Sequence, residues 1–217
     1  NQARENKFSI NWKEEDIAVP NKIGNQNFLN YDIAELRNYI DWTPFFYTWE
    51  MRKKYPDILT DDNFGTEATK LYNDANNMLD KIIAENWLEA RAVSGIWPAN
   101  TVNDDDIEIY TDESRSNVAH TQFGMRQQLQ KAKNASNVNV ADFIAPKDSG
   151  HKDYIGGFVV TAGIGIENKL TEFEADHDDY QSILLKAIAD RLAEAFAERL
   201  HERTRQEFWG YEAEALS

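Results

Sequence analysis

Carboxylates are the groups in this sequence whose type and spacing could do chemistry. Asp190, Glu194 and His201 share a stripe at spacings of four and seven, with Glu198 close to it, in a stretch of helical period. A solvated acidic face is the ordinary reading of such a stripe. Yet Ala187, Ala193, Ala195 and Ala197 leave the surrounding surface small, which lets a bulky ligand or partner approach closely. Asp41 lies between Ile40 and Trp42, two residues before Thr43-Pro44. It fits a helix N-cap, because Asp accepts the orphan backbone N–H groups of a first turn. His177-Asp178-Asp179 lacks the helical His-x-x-x-His or Glu-x-x-His spacing of a metal face, and we read it as a helix start. Asp104-Asp105-Asp106 lacks the Gly and the distant Glu of a calcium loop, so we read a turn with solvated carboxylates. His120 and His151 have no evident partners, and no Ser-His-Asp set, phosphate-cradling loop or dinucleotide fingerprint is present.

The elements that must position these groups follow from periodicity. Leu71, Ala75, Met78, Leu79, Ile82 and Ile83 recur at three and four, predicting a helix over 66–86 with its start at Gly65-Thr66. Leu184, Ile188, Leu192, Ala195, Phe196 and Leu200 predict one long helix over 178–208, about 45 Å at ~1.5 Å per residue, ended by Gly210. Pro44 suits the first turn of a helix from residue 42 or 43 to about 53. Residues 32–39 read as one or two helical turns, and 117–133 as a helix poor in apolar residues. Strands are expected over 88–96 and 107–110 about an Asn103–Asp106 turn, and over 141–144 and 154–164 about residues 146–150. Gly156-Gly157 inside a strand points to a bulge or a close approach by another group. Residues 1–30 read as a lead-in segment, with a short strand near Phe8–Trp12. Strands grouped between helices, without regular βαβ alternation, predict an α+β fold: a twisted, mainly antiparallel sheet with flanking helices and one long C-terminal helix.

Composition bounds the function. The 217 residues, 41% hydrophobic and 12% aromatic, can bury a sizeable core. Twenty-three Lys and Arg against 38 Asp and Glu give a formal charge of −15, which disfavours nucleic acid and anionic membranes as partners. With no cysteine, thiolate catalysis, Cys-zinc sites and disulfides are excluded. The absence of cysteine and of any long apolar run is in keeping with a cytoplasmic protein. The first residue is Asn1 rather than Met, as expected of a piece of a longer protein.

Four segments together resemble one family. They are Tyr39-Ile-Asp-Trp-Thr-Pro-Phe-Phe46, residues 92–110 with Ser94-Gly-Ile-Trp-Pro-Ala99, residues 141–161 with Asp153-Tyr-Ile-Gly-Gly-Phe158, and His177-Asp-Asp-Tyr180 running through residues 186–203 to Phe208-Trp-Gly-Tyr211. In type and order they resemble the activation domain of cobalamin-dependent methionine synthase, which binds S-adenosylmethionine. The resemblance implies a lead-in over 1–30 and an activation domain over 31–217, in a fragment of a methyltransferase that is not active alone. It implies a reactivation module: S-adenosylmethionine is presented for reductive methylation of cob(II)alamin held by another domain, with a flavodoxin-like protein as reductant. It assigns Asp41 and Glu194 to the S-adenosylmethionine site. Asp190 is assigned to the contact with the cobalamin domain, where it meets the histidine displaced from cobalt, and Glu167 corresponds to a second carboxylate at the end of the preceding strand. The family's Arg-Pro-x-x-Gly-Tyr ligand motif, expected after Phe208-Trp-Gly-Tyr211, is absent from the sequence, so the resemblance implies a domain without its C-terminal part. A non-catalytic docking module for the cobalamin domain or a reductase is the alternative.

Overall fold

The computed structural model describes residues 2–13, 17–132 and 134–212. Its helices are α1 (Gln2–Glu5), α2 (Ile33–Leu36), α3 (Trp42–Thr48), α4 (Gly65–Glu85), α5 (Ile166–Ala175) and α6 (Asp179–Arg203), the last running into a π-helical turn at Thr204–Phe208. Its strands are β1 (Gly24–Tyr31), β2 (Glu89–Val102), β3 (Asp106–Tyr110), β4 (Val118–Gln122) and β5 (Asp153–Ile164). They form one five-stranded sheet in the order β1-β2-β3-β4, with β5 paired to β2. The β2–β3 and β3–β4 ladders are antiparallel, with Ala99 opposite Ile109 and Ile109 opposite His120. The α+β class and the long C-terminal helix are as the sequence predicts.

The chain divides into two units. Residues 27–93 and 158–202 make a helical unit with an apolar core. The face of α4 predicted from its period is the buried one: Leu71, Ala75, Met78, Leu79 and Ile82 are all at most 4% exposed. Leu184, Ile188, Leu192, Ala195, Phe196 and Leu200 of α6 are buried with them, as are Phe45 and Phe46 of α3. Each fully buried side chain of this size contributes about 1.5–3 kcal/mol relative to exposure. Helix α3 stops at Thr48, short of its expected end near residue 53, because Glu50 takes φ +61 and Met51 N–H returns to the Phe46 carbonyl.

Residues 1–26, 94–157 and 203–217 make the second unit; among its described residues one small buried cluster joins Ala99, Ile107, Ala141 and Ile144, with Ile96, Tyr110, Ala145, Tyr154 and Phe208 buried outside it. Polar side chains fill the rest. Arg126, 2% exposed, spends all five guanidinium N–H groups on protein acceptors. Its Nε donates to Asp105 (2.9 Å), Nη1 to Asp142 and the Asn137 carbonyl (both 2.7 Å), and Nη2 to Asp142 (2.7 Å) and the Asp104 carbonyl (2.9 Å). This network overturns three expectations. Residues 117–133 hold no helix among those described (Lys133 lies outside them); they form β4 and an irregular segment anchored by Arg126. Residues 141–144 are not a strand but part of a 3₁₀ turn, capped reciprocally: Asn139 Oδ1 accepts the Ala141 N–H, and Asp142 Oδ2 accepts the Asn139 N–H. The Asp104–Asp106 carboxylates do sit at a turn, but Asp105 is buried between Arg126 and Arg4 rather than solvated.

The lead-in also differs from expectation. Residues 24–31 form β1, while 8–12 form no strand. Gly156 and Gly157 face the Trp209 and Trp97 rings, but a Cβ there would lie at ordinary contact distances, 3.4 and 4.0 Å, so the close approach expected of the paired glycines is not what these positions show. Gly210 takes φ +80 just past the π-helical turn, the C-terminal stop its position predicts.

Candidate functional site

The four carboxylates that the resemblance assigns, Asp41, Glu167, Asp190 and Glu194, belong to the helical unit. Asp41 is the N-cap of α3, with Oδ1 accepting the Thr43 N–H at 2.9 Å. The residue is exposed, and no hydrogen bond to its second oxygen, Oδ2, is seen among the described residues. The cap therefore fixes the carboxylate in direction and leaves an acceptor pointing outward.

An ion cluster on α6 ties down the segment that leads into Asp41. Arg199 donates from Nε to Glu35 (2.5 Å) and from Nη1 to Glu202 (2.8 Å), and it lies 5.6 Å over the Tyr39 ring. Tyr39 donates its hydroxyl to Glu202 at 2.6 Å. That bond, with burial, raises the Tyr39 pKa above the usual phenol value, so the hydroxyl stays a donor at neutral pH. None of these four residues stands out in the sequence, because each reads as an ordinary surface group of a helix or a turn.

Asp190 and Glu194 are brought together by a residue that sequence reasoning passed over. Arg191 donates from Nη2 to Asp190 Oδ2 (2.7 Å) and to Glu194 Oε1 (2.8 Å), and from Nη1 to Glu194 Oε2 (2.5 Å). The two carboxylates are 68% and 62% exposed, whereas the arginine side chain is 9% exposed. Burial alone would lower the Arg191 pKa, but its two carboxylate partners more than offset this and it stands above the usual value. With one cation between two anions, the patch keeps a net negative charge. Of the four alanines read from the sequence as a small surrounding surface, Ala187 and Ala195 are buried in the core, and only Ala193 and Ala197 remain partly exposed.

Glu167 sits exposed in the first turn of α5, where a carboxylate complements the helix dipole. Upstream, Gly163 of β5 lies against α6, with a Cβ there 3.9 Å from Ala189 Cβ. No hydrogen bond or ion pair among the described residues links Asp41 or Glu167 to the Asp190–Glu194 pair. His177, at φ +55, precedes the Asp178 cap of α6, where Oδ1 accepts the Gln181 N–H at 3.0 Å. This is the helix start read from the sequence. No group of three or more metal-ligating side chains occurs among the described residues.

Two cavities lie elsewhere. One of about 580 Å³ borders Tyr31, Asp32, Ile82, Asn86 and Glu89 in the helical unit. The other, about 650 Å³, is lined by Phe8, Ile10, Trp12, Thr101, Ile144 and Lys147 in the second unit. Neither includes Asp41, Glu167, Asp190 or Glu194.

The sequence profile of the vitamin B12 dependent methionine synthase activation domain matches residues 32–217. The chain belongs to this family. Among solved structures it is similar to a MetH reactivation domain crystallised with AdoHcy, at 51% identity and a TM-score of 0.95. That match covers 100% of this chain and 66% of the other, so the chain spans just under two thirds of the solved relative. At this identity the likeness extends beyond fold to side chains. No helix among the described residues of this activation-domain chain is long and apolar enough to cross a membrane.

Proposed function

We propose that the chain is the S-adenosylmethionine-binding reactivation module of a cobalamin-dependent methionine synthase, a methyltransferase whose cobalamin is held by another domain. The observation that carries this is the 51% identity, over the whole chain, to a reactivation domain bound to AdoHcy. In this reading S-adenosylmethionine supplies a methyl group, cobalamin is the acceptor, and a flavodoxin-like protein supplies an electron.

The residues fit such a ligand. S-adenosylmethionine is cationic at sulfur and at its amino group, and an exposed carboxylate held by its own cap or by an arginine can accept from the ammonium or lie against the sulfonium as a counter-charge. Asp41 offers Oδ2, while Oδ1 is held by Thr43 N–H. Glu194 offers the remaining lone pairs of a carboxylate clamped by Arg191. Asp190, on the same helix face, and Glu167 would meet the cobalamin domain. The protein's part is to bind and orient, which is how a cofactor-dependent site contributes to rate. We assign no general base in this chain, and reactivation would require the rest of the parent enzyme. The placement is cytoplasmic.

Calorimetric titration of S-adenosylmethionine into the 217-residue protein tests the reading. Binding that weakens in Asp41→Asn and Glu194→Gln is expected; no binding either by this chain or by a longer one that carries the Arg-Pro-x-x-Gly-Tyr motif, both folded, would count against it. A second reading, a non-catalytic docking module for the cobalamin domain or the reductase, is favoured by one observation: the Asp190–Glu194 patch is open surface rather than cavity wall. That reading expects cobalamin-domain binding that does not depend on S-adenosylmethionine.

A further inference from the structure

Arg191 is anomalous in its surroundings. Among the described residues of the helical unit, Ser182 and Arg191 are the polar or charged residues buried as whole residues, and the Asp61 side chain, 8% exposed, is the other charge held out of water, paired to Lys53; Arg191 is thus the one cation buried against this apolar core. Burying a guanidinium is unfavourable unless its partners compensate, and here the partners are exposed carboxylates, a pairing that adds little stability. An aliphatic residue would suit that face of α6 better, beside Ile188, Leu192 and Ala195. Stability therefore does not account for an arginine at this position; the orientation of its two partners does.

We propose that Arg191 is a positioning residue, a buried clamp that holds Glu194 toward a sulfonium ligand and Asp190 toward the docking partner. The inference rests on the function proposed above. Glu194 is gripped through both oxygens in the bidentate geometry that only arginine supplies, so its rotation is removed before any ligand arrives. Asp190 shares the Nη2 donor with Glu194, which fixes the two carboxylates relative to each other.

Charge and position predict opposite signs, which makes the inference testable. Arg191→Met removes a positive charge beside the ligand's own positive charge. If Arg191 mattered only through the field, a cationic ligand would bind more tightly in the variant, most of all at low salt. If Arg191 positions Glu194, binding weakens by about tenfold or more despite the lost repulsion. The experiment is titration of S-adenosylmethionine, at low and high salt, into the 217-residue protein and its Arg191→Met, Arg191→Lys, Glu194→Gln and Arg191→Met/Glu194→Gln variants. The expected result is a loss in Arg191→Met, a loss of similar size in Arg191→Lys, which keeps the charge but not the fork, and little further loss in the double variant. Arg191→Lys also serves if Arg191→Met does not fold. Unchanged or tighter binding in Arg191→Met, full binding in Arg191→Lys, or additive losses would overturn the clamp while leaving the proposed function standing. Where the 217-residue wild type does not bind, the same variants are read in a longer chain that carries the Arg-Pro-x-x-Gly-Tyr motif, and a folded wild type of that length that does not bind would overturn both.

Discussion

Among the described residues the helical unit gathers 25 buried apolar residues into one core, whereas the second unit has a cluster of four and five more buried apolar residues outside it. Buried polar groups run the other way: Ser94, Asn100, Thr101, Asp105, Arg126, Asn137, Asn139, Asp142 and Asp153 all belong to the second unit. One region is held by apolar burial, which is non-directional, and the other by directional bonds among named partners. The difference decides what each tolerates. An apolar core accepts conservative repacking, while a buried ionic network loses more when one member is removed than it contributed when complete. Formal charge divides unevenly too: the helical unit holds 11 Lys and Arg against 22 Asp and Glu, so most of the −15 lies where the candidate site is. That surface suits a cationic ligand.

Removing the arginine at the centre of the ionic network should break the comparison hardest. Arg126→Met leaves Asp105 and Asp142 buried without their cation and should cost about 3–5 kcal/mol in urea unfolding. A loss below about 1 kcal/mol would show that the network is not what holds this unit. Leu184→Ala in the helical unit should cost about 2–4 kcal/mol by the cavity it opens. Leu184→Met should stay within about 1.5 kcal/mol, the tolerance that the ionic unit lacks.

Acid sharpens the same contrast. Burial would raise the Asp105 pKa, but bonds from Arg4, Asn139 and Arg126 offset this and hold it below the usual aspartate value of 3.8. A carboxyl with a depressed folded-state pKa contributes stability that is present above its unfolded value and lost as pH falls through the folded value. Asp105→Asn should therefore be destabilising by about 1–3 kcal/mol at pH 7. The gap from wild type should narrow as pH falls below about 4, as chemical denaturation at a series of pH values would read. The smallest effect is expected at the exposed Lys147–Glu108 pair: Lys147→Met should change stability by less than about 1 kcal/mol, and less still in high salt.

The helices of the candidate site were legible in advance because their signals are apolar and periodic. The buried faces of α4 and α6 coincide with the residues picked out at spacings of three and four. Asp41 was legible as a cap because Asp before Thr43-Pro44 is a local signal that needs no tertiary partner. Arg126 and residues 117–133 were not legible. Periodicity takes an arginine for a surface residue, and only partners 16 and 21 residues away make its burial possible. Arg191 was missed for a different reason: its partners are one and three residues away, and a charge beside two acidic residues reads as part of a solvated face unless the packing of that face is known. Strand β1 was hidden because Asn25, Gln26, Asn27 and Asn30 carry no β signal, and pairing with the sheet supplies what propensity lacks.

By itself the sequence determined the α+β class, the long helix, the cap at Asp41, the exclusion of thiol chemistry and the family resemblance, all of which rest on local patterns or on the order of motifs along the chain. Only the tertiary structure decided which charges are buried, that Arg191 joins Asp190 to Glu194, and that Arg199 joins Glu35 to Glu202. The physical reason is that burying a charge requires partners in fixed geometry: Arg126 and Arg199 draw partners from distant positions that no local pattern brings together, while Arg191, whose partners are one and three residues away, is buried because its side of α6 packs on the core.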